Sequence, residues 1–192
     1  MHLNNRKKDL FQKDKYVQDC LDSLVARLNA GNSDAADELV DSYYEQIYLL
    51  MRRLGHGHQV SEDLTQECFL QAWQHIGQLR SSKALKGWMY RIAVNISKQY
   101  FRRYKEKNSI GNTDEIQPIE DCQNKLENYE QLCLLKDALD MLPGKLKETI
   151  ILHYIQHLTI NEAAKAVGVA NGTFKSRLNR ALKKLRKQLN GK

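Results

Sequence analysis

Apolar residues along this chain recur at spacings of three and four, and no stretch alternates apolar with polar residues long enough for a strand, so the sequence predicts an all-α protein. A first helix is expected over 15–30, stopped by Gly31 and Asn32. A second, over 33–54, places Ala36, Leu39, Val40, Tyr43, Ile47, Leu50, Met51 and Leu54 on one face and ends at Gly55. Ser61 is the expected cap of a third helix running to Ile76, with Leu64, Phe69, Ala72, Trp73 and Ile76 turned inward. After a polar loop over 78–86, a fourth helix runs from Gly87 to about Lys105 and buries Trp88, Ile92, Ala93 and Ile96.

Periodicity is lost between Asn108 and Asn128, where Asn112, Asp114, Glu115, Pro118, Glu120 and Asp121 make an acidic, flexible linker. Fully stretched, its roughly twenty residues span on the order of 65 Å. Apolar spacing resumes near Tyr129 with Leu132, Leu135, Ala138, Leu139 and Leu142, and Pro143 opens the next helix, over 144–157. Thr159 and Glu162 have the spacing of a capping box, so a short helix carrying Ala163, Ala164 and Val167 begins there, and Gly168 stops it. A last helix repeats Phe174, Leu178, Ala181, Leu182, Leu185 and Leu189, with Asn171 available as its cap. Two helices about a glycine turn, the second basic, read as a helix-turn-helix. The expected organisation is two small helical domains: an N-terminal extension with the first helix (1–30), a helical domain (31–107), the linker (108–128) and a helix-turn-helix domain (129–192).

Charge sharpens that picture. The net charge of +7 is clustered: Lys175, Arg177, Arg180, Lys183, Lys184, Arg186, Lys187 and Lys192 follow Phe174 with no acid among them, which suits a polyanion lying along one helix. Lys98, Tyr100, Phe101, Arg102, Arg103, Tyr104, Lys105 and Lys107 mix cations with rings. That combination holds phosphates and stacks on unpaired bases, and it equally describes core rings beside a solvated face. No apolar run approaches the roughly 18 residues of a spanning helix, and Met1 to Asp14 lacks an apolar signal core, so a cytoplasmic protein without membrane insertion is expected.

Metal and enzyme chemistry find little support. Cys20, Cys68, Cys122 and Cys133 show no paired spacing, and His56-Gly57-His58 reads as a solvated loop, so no metal site is expected. No nucleophile with its base and no phosphate-cradling glycine loop is evident, which predicts a protein that is not an enzyme and needs no cofactor.

Glu62 to Trp73, and then Gly87-Trp88-Met89-Tyr90-Arg91-Ile92-Ala93-Val94-Asn95, resemble region 2 of the extracytoplasmic-function sigma factors of bacterial RNA polymerase. Leu142-Pro143 through Tyr154, Glu162-Ala163-Ala164, and Gly172 through Ala181 resemble region 4 of the same family. The resemblance implies that Asp63, Gln66 and Glu67 dock on core RNA polymerase. It implies that Asn95, Lys98 and Gln99, with Arg102 and Arg103 beyond them, contact a melted promoter element, and that the loop from Arg80 to Lys86 receives an extruded base. It also places Asn171, Thr173, Lys175, Ser176, Arg177 and Arg180 at an upstream duplex element, with Lys183, Lys184 and Lys187 on the phosphate backbone.

Within that set, Arg177 and Arg180 are suited to two-pronged contacts with guanine or to clamping phosphates. Ala170 departs from the family, where serine or proline often opens the recognition helix. The partners implied are core polymerase, promoter DNA and an anti-sigma factor. The function expected is promoter recognition and transcription initiation; a stand-alone helix-turn-helix regulator is the alternative.

Overall fold

The computed structural model describes residues 16, 18–79, 81–108 and 129–190, and the linker proposed for 108–128 lies almost wholly outside them. Among the described residues every regular element is helical. Residues 18–29 form α1, followed by α2 (Ser33–Leu54), α3 (His58–His75) and, past two short 3-10 turns, α4 (Leu85–Asn108). The second half holds α5 (Tyr129–Asp140), α6 (Gly144–Ile150), α7 (Ile160–Val167) and α8 (Asn171–Asn190).

The expected glycine stops hold where backbone geometry demands them. Gly31, Gly55 and Gly168 take φ values of +75°, +104° and +77°, a region that side chains with a Cβ rarely enter. Asn32 then caps α2 by accepting from the Ala35 amide at 2.9 Å. In the first half α2, α3 and α4 pack on one another around Leu39, Ile47, Leu50, Met51, Leu64, Cys68, Met89 and Ala93, and α1 adds Leu24 and Leu28. In the second, α5, α6 and α7 all pack on α8, around Leu152, Leu158, Ala163, Ala164, Phe174, Leu178 and Ala181. The halves touch, since α7 lies against α4.

Several expectations are corrected. Ser61 does not cap α3, which starts at His58; the serine is wholly buried one turn in, and its hydroxyl donates to the His56 carbonyl at 3.3 Å. His56 is likewise buried rather than solvated. Trp73 and Leu135 are each 41% exposed, although both fall on the periodic apolar faces of their helices. The fourth helix begins two residues early, because the turn at Ser82 delivers the chain to Leu85 in helical conformation. The helix after Pro143 is regular only to Ile150 and then widens into a π turn, Ile151–Ile155, in which the Gln156 amide donates to the Ile151 carbonyl. Asn171 is the first helical residue of α8 rather than its cap, and the Ala170 carbonyl accepts from the Phe174 amide at 3.0 Å.

Candidate nucleic-acid interface

Local hydrogen bonding fixes the turn that presents α8. The capping box forms as the sequence requires: the Glu162 amide donates to Thr159 Oγ1 at 3.3 Å, and the Thr159 amide donates to Glu162 Oε2 at 2.8 Å. Phe174, Leu178, Ala181 and Leu185 then bury one side of α8, which turns the other side outward. Asn171, Thr173, Lys175, Ser176, Arg180, Lys183 and Lys184 are all exposed there. Thr173, Ser176, Arg180, Lys183 and Lys187 follow one another at helical spacing, so hydroxyls lead and cations follow along a single stripe. Arg177 differs. It is half-buried on the flank facing α6, where its charge acts on the buried Glu148 carboxylate.

The melted-element set on α4 is divided in the same way. Asn95, Arg102 and Arg103 are exposed and Gln99 is half-buried. Lys98 is already engaged: its Nζ lies 3.2 Å from Glu148 Oε1 and donates to the Val167 carbonyl at 3.1 Å. The rings of this segment are partly spent on packing. Phe101 stacks on His56 with centroids 4.3 Å apart, and Tyr100 meets the same imidazole edge-on.

His56 Nε2 lies 2.7 Å from Ser97 Oγ, while burial pushes the imidazole down to about 4. An unfolded histidine titrates near 6.5, so below that pH the unfolded chain binds a proton that the folded chain refuses. The stability held by neutral His56 is therefore complete above about pH 6.5 and declines as pH falls toward 4, by about 3 kcal/mol in all. Urea unfolding at pH 7 and pH 4.5 is expected to show this loss, and His56→Gln is expected to flatten it; equal slopes in both proteins remove His56 as the cause.

The loop meant to receive a base is tied down from α1. Ser82 is buried, Gln18 Nε2 donates to its hydroxyl at 2.6 Å, and that hydroxyl donates to Asp22. The Ser82 bond, then the Gln18 bond, lower the Asp22 carboxyl below its ordinary range. Arg80 lies outside the described residues. Lys83, Trp88 and Arg91 line an open cleft whose far wall is Asn161, Glu162 and Lys165 of α7.

On α3, Asp63 and Gln66 are exposed, and Glu67 is half-buried and accepts from Gln71 Nε2 at 3.2 Å. Leu70, 63% exposed, and Trp73 continue the stripe of Asp63 and Gln66 at helical spacing. Sequence reasoning missed both, because an apolar period alone cannot separate a core face from an outward one. Among the described residues no three His, Cys, Asp or Glu side chains gather as metal ligands. Cys68 is buried, with its thiol pushed up to about 12 by burial and then by the Glu67 charge, and Cys20 is an exposed thiol. Cys122 and the Cys133 side chain lie outside the described residues.

A helix-turn-helix with a basic outward stripe lies beside a helical unit that carries a second cationic segment and an exposed apolar stripe, the arrangement of a nucleic-acid-binding class of protein. The family model Sigma-70 region 2 matches residues 39–107, and Sigma-70, region 4 matches 134–185. The ECF RNA polymerase sigma factor SigW of Bacillus subtilis is 29% identical over 177 residues, covering 86% of this chain and 94% of that protein. The RNA polymerase sigma-H factor of Pseudomonas aeruginosa is 28% identical over 178 residues, covering 86% and 92%.

Among solved structures, the sigma factor RpoE in complex with the anti-sigma factor NepR from Bartonella quintana superposes with a TM-score of 0.67 at 29% identity, over 80% of this chain and 96% of that one. CnrH, solved with the cytosolic domain of CnrY, gives 0.66 at 21% identity over 88% and 96%, a likeness of fold. The chain belongs to the sigma-70 family, as an RNA polymerase sigma factor of the extracytoplasmic-function group. Among the described residues no helix is long and apolar enough to cross a membrane.

Proposed function

We propose that this sigma factor docks on core RNA polymerase through the outward stripe of α3, namely Asp63, Gln66, Leu70 and Trp73 with Glu67 at its edge, and reads two promoter elements with its two halves. The observation that carries this reading is the exposure of Leu70 and Trp73, large apolar side chains beside an acid and an amide on one helix. Residues 31–107 and 129–192 act as separate domains joined by 108–128, so that α8 enters the major groove of the upstream duplex while Asn95, Lys98, Gln99, Arg102 and Arg103 hold the melted strand. The protein carries out no chemistry of its own and works in the cytoplasm. An anti-sigma factor is its expected regulator, in keeping with the partner solved with the Bartonella sigma factor.

Gel filtration of the full chain with core polymerase is expected to give one co-eluting species that starts transcripts at defined sites. A protein that binds duplex DNA alone and elutes apart from polymerase is a stand-alone regulator instead, and the reading fails.

A further inference from the structure

We infer that α1 is a specificity element: Gln18 and Asp22 clamp Ser82 and thereby fix where its neighbours Ser81 and Lys83 stand when they meet an extruded base. The inference rests on the reading of the loop over 80–86 as the receiver of that base, and it gives the first helix a task in promoter choice.

The loop turns one residue inward and its neighbours outward. Ser82 is 6% exposed, whereas Ser81, Lys83 and Ala84 are exposed and line the open cleft with Trp88 and Arg91. A serine hydroxyl has one proton to give, and Ser82 gives it to the Asp22 carboxylate while accepting from Gln18 Nε2 at 2.6 Å. No proton remains for a base. Gln18 Nε2 also donates to Asp22 Oδ1 at 3.0 Å, so three side chains from two distant segments close on one another. Ser82 is therefore an anchor, and contact with nucleic acid falls to the residues beside it. The Ser81 side chain does not cap the short turn Ser82–Ala84, which leaves its hydroxyl for a ligand, and Lys83 adds a charge.

A clamp transmits position when its own base is rigid. Leu24, Val25 and Leu28 of α1 are buried in the core of the first half, and Arg27 pairs with Glu38 of α2. Gln18 and Asp22 lie one helical turn apart, so they reach the loop from a single face. The loop itself stands on two apolar footholds, Leu79 and Leu85, both buried, and between them α1 grips it at Ser82. The Asp22 carboxylate also attracts Lys83, one of the two residues it positions. Contact groups that stray by about 1 Å lose much of their effect, so the hydrogen bonds behind them decide how sharply they discriminate. Gln18, Asp22 and Ser82 are positioning residues in this sense.

The test uses the full chain with core polymerase. Start sites mapped on chromosomal DNA of the source bacterium supply a promoter, whose melted and upstream elements are randomised in turn, transcribed and counted by sequencing. In the Gln18→Ala, Asp22→Ala double variant, whose loop sequence is unchanged, preference at one position of the melted element is expected to fall about five-fold or more. Ser82→Ala should flatten the same position. Asp22→Asn, which keeps an oxygen for the Ser82 hydroxyl, should retain the preference. Preference at the upstream element and co-elution with polymerase are expected to match the parent protein in all three.

Unchanged preference in the double variant overturns the clamp, and so does a loss spread evenly over both elements, the mark of a weakened fold. Ser81→Ala and Lys83→Ala separate this outcome from a failure of the loop reading. If they shift the preference and the clamp variants do not, the clamp alone is wrong. If none of them shifts it, the loop does not receive the base and the clamp falls with it.

Discussion

Changing Leu70 and Trp73 together to alanine is expected to abolish capture of core polymerase while leaving the fold intact. The two effects separate because the side chains lie outside the core: Leu70 is 63% and Trp73 41% exposed, whereas Leu64, Cys68 and Ala72 on the other side of α3 are buried. Exposed substitutions of this kind usually change stability by about 0.5 kcal/mol or less. Truncating an apolar anchor at the centre of an interface costs about 2 kcal/mol or more, so losing two weakens binding by roughly a thousand-fold. Asp63→Ala and Gln66→Ala should cost less, since polar groups at a wet rim contribute mainly to rate and specificity. Titration of labelled core polymerase with each variant, alongside thermal unfolding, checks the ranking. Undiminished affinity in the double variant would move the docking face elsewhere.

Which parts of this molecule could be read from its sequence follows from the range of the forces involved. The capping box at Thr159 and Glu162 and the glycine stops at 31, 55 and 168 are set by local sequence and stand as expected, as does the face of α8 through Phe174, Leu178, Ala181 and Leu185, whereas Leu182 is half-buried and Leu189 exposed. The errors have a common origin in contacts between distant segments. Trp73 obeys the apolar period of α3 but, among the described residues, no neighbouring helix covers it fully. His56 seemed solvated beside Gly57 because its partners, Ser97 and Phe101, come from a helix some forty residues further on. Lys98 and Arg177 looked alike as free cations, and only the position of Glu148 between them separates their environments. The π turn that precedes Gln156, whose side chain accepts from Tyr90, has no local signature in the sequence.

Along α8 the sequence offers Arg177 and Arg180 equally as readers of bases, and the structure parts them. Arg180 is exposed on the outward stripe with Thr173 and Ser176, while Arg177 is half-buried beside a carboxylate it helps to neutralise. An arginine that reads guanine needs its guanidinium free to face the groove, because the two-pronged bond uses two N–H groups in one plane. Arg180→Ala is therefore expected to relax sequence preference at one position of the upstream element by about 1–3 kcal/mol, roughly 5- to 150-fold. Arg177→Ala should act mainly on the fold, by removing a cation from buried Glu148.

Lys183→Ala should weaken binding by a similar factor on every sequence and lower the slope of log K against log salt by about 0.9, the signature of one lost phosphate contact. Fluorescence anisotropy with a randomised duplex library and with single duplexes at several salt concentrations separates the three. If Arg180→Ala left preference untouched while Lys183→Ala changed it, the two roles would be exchanged along the same stripe, with Lys183 reading the base and Arg180 holding phosphate.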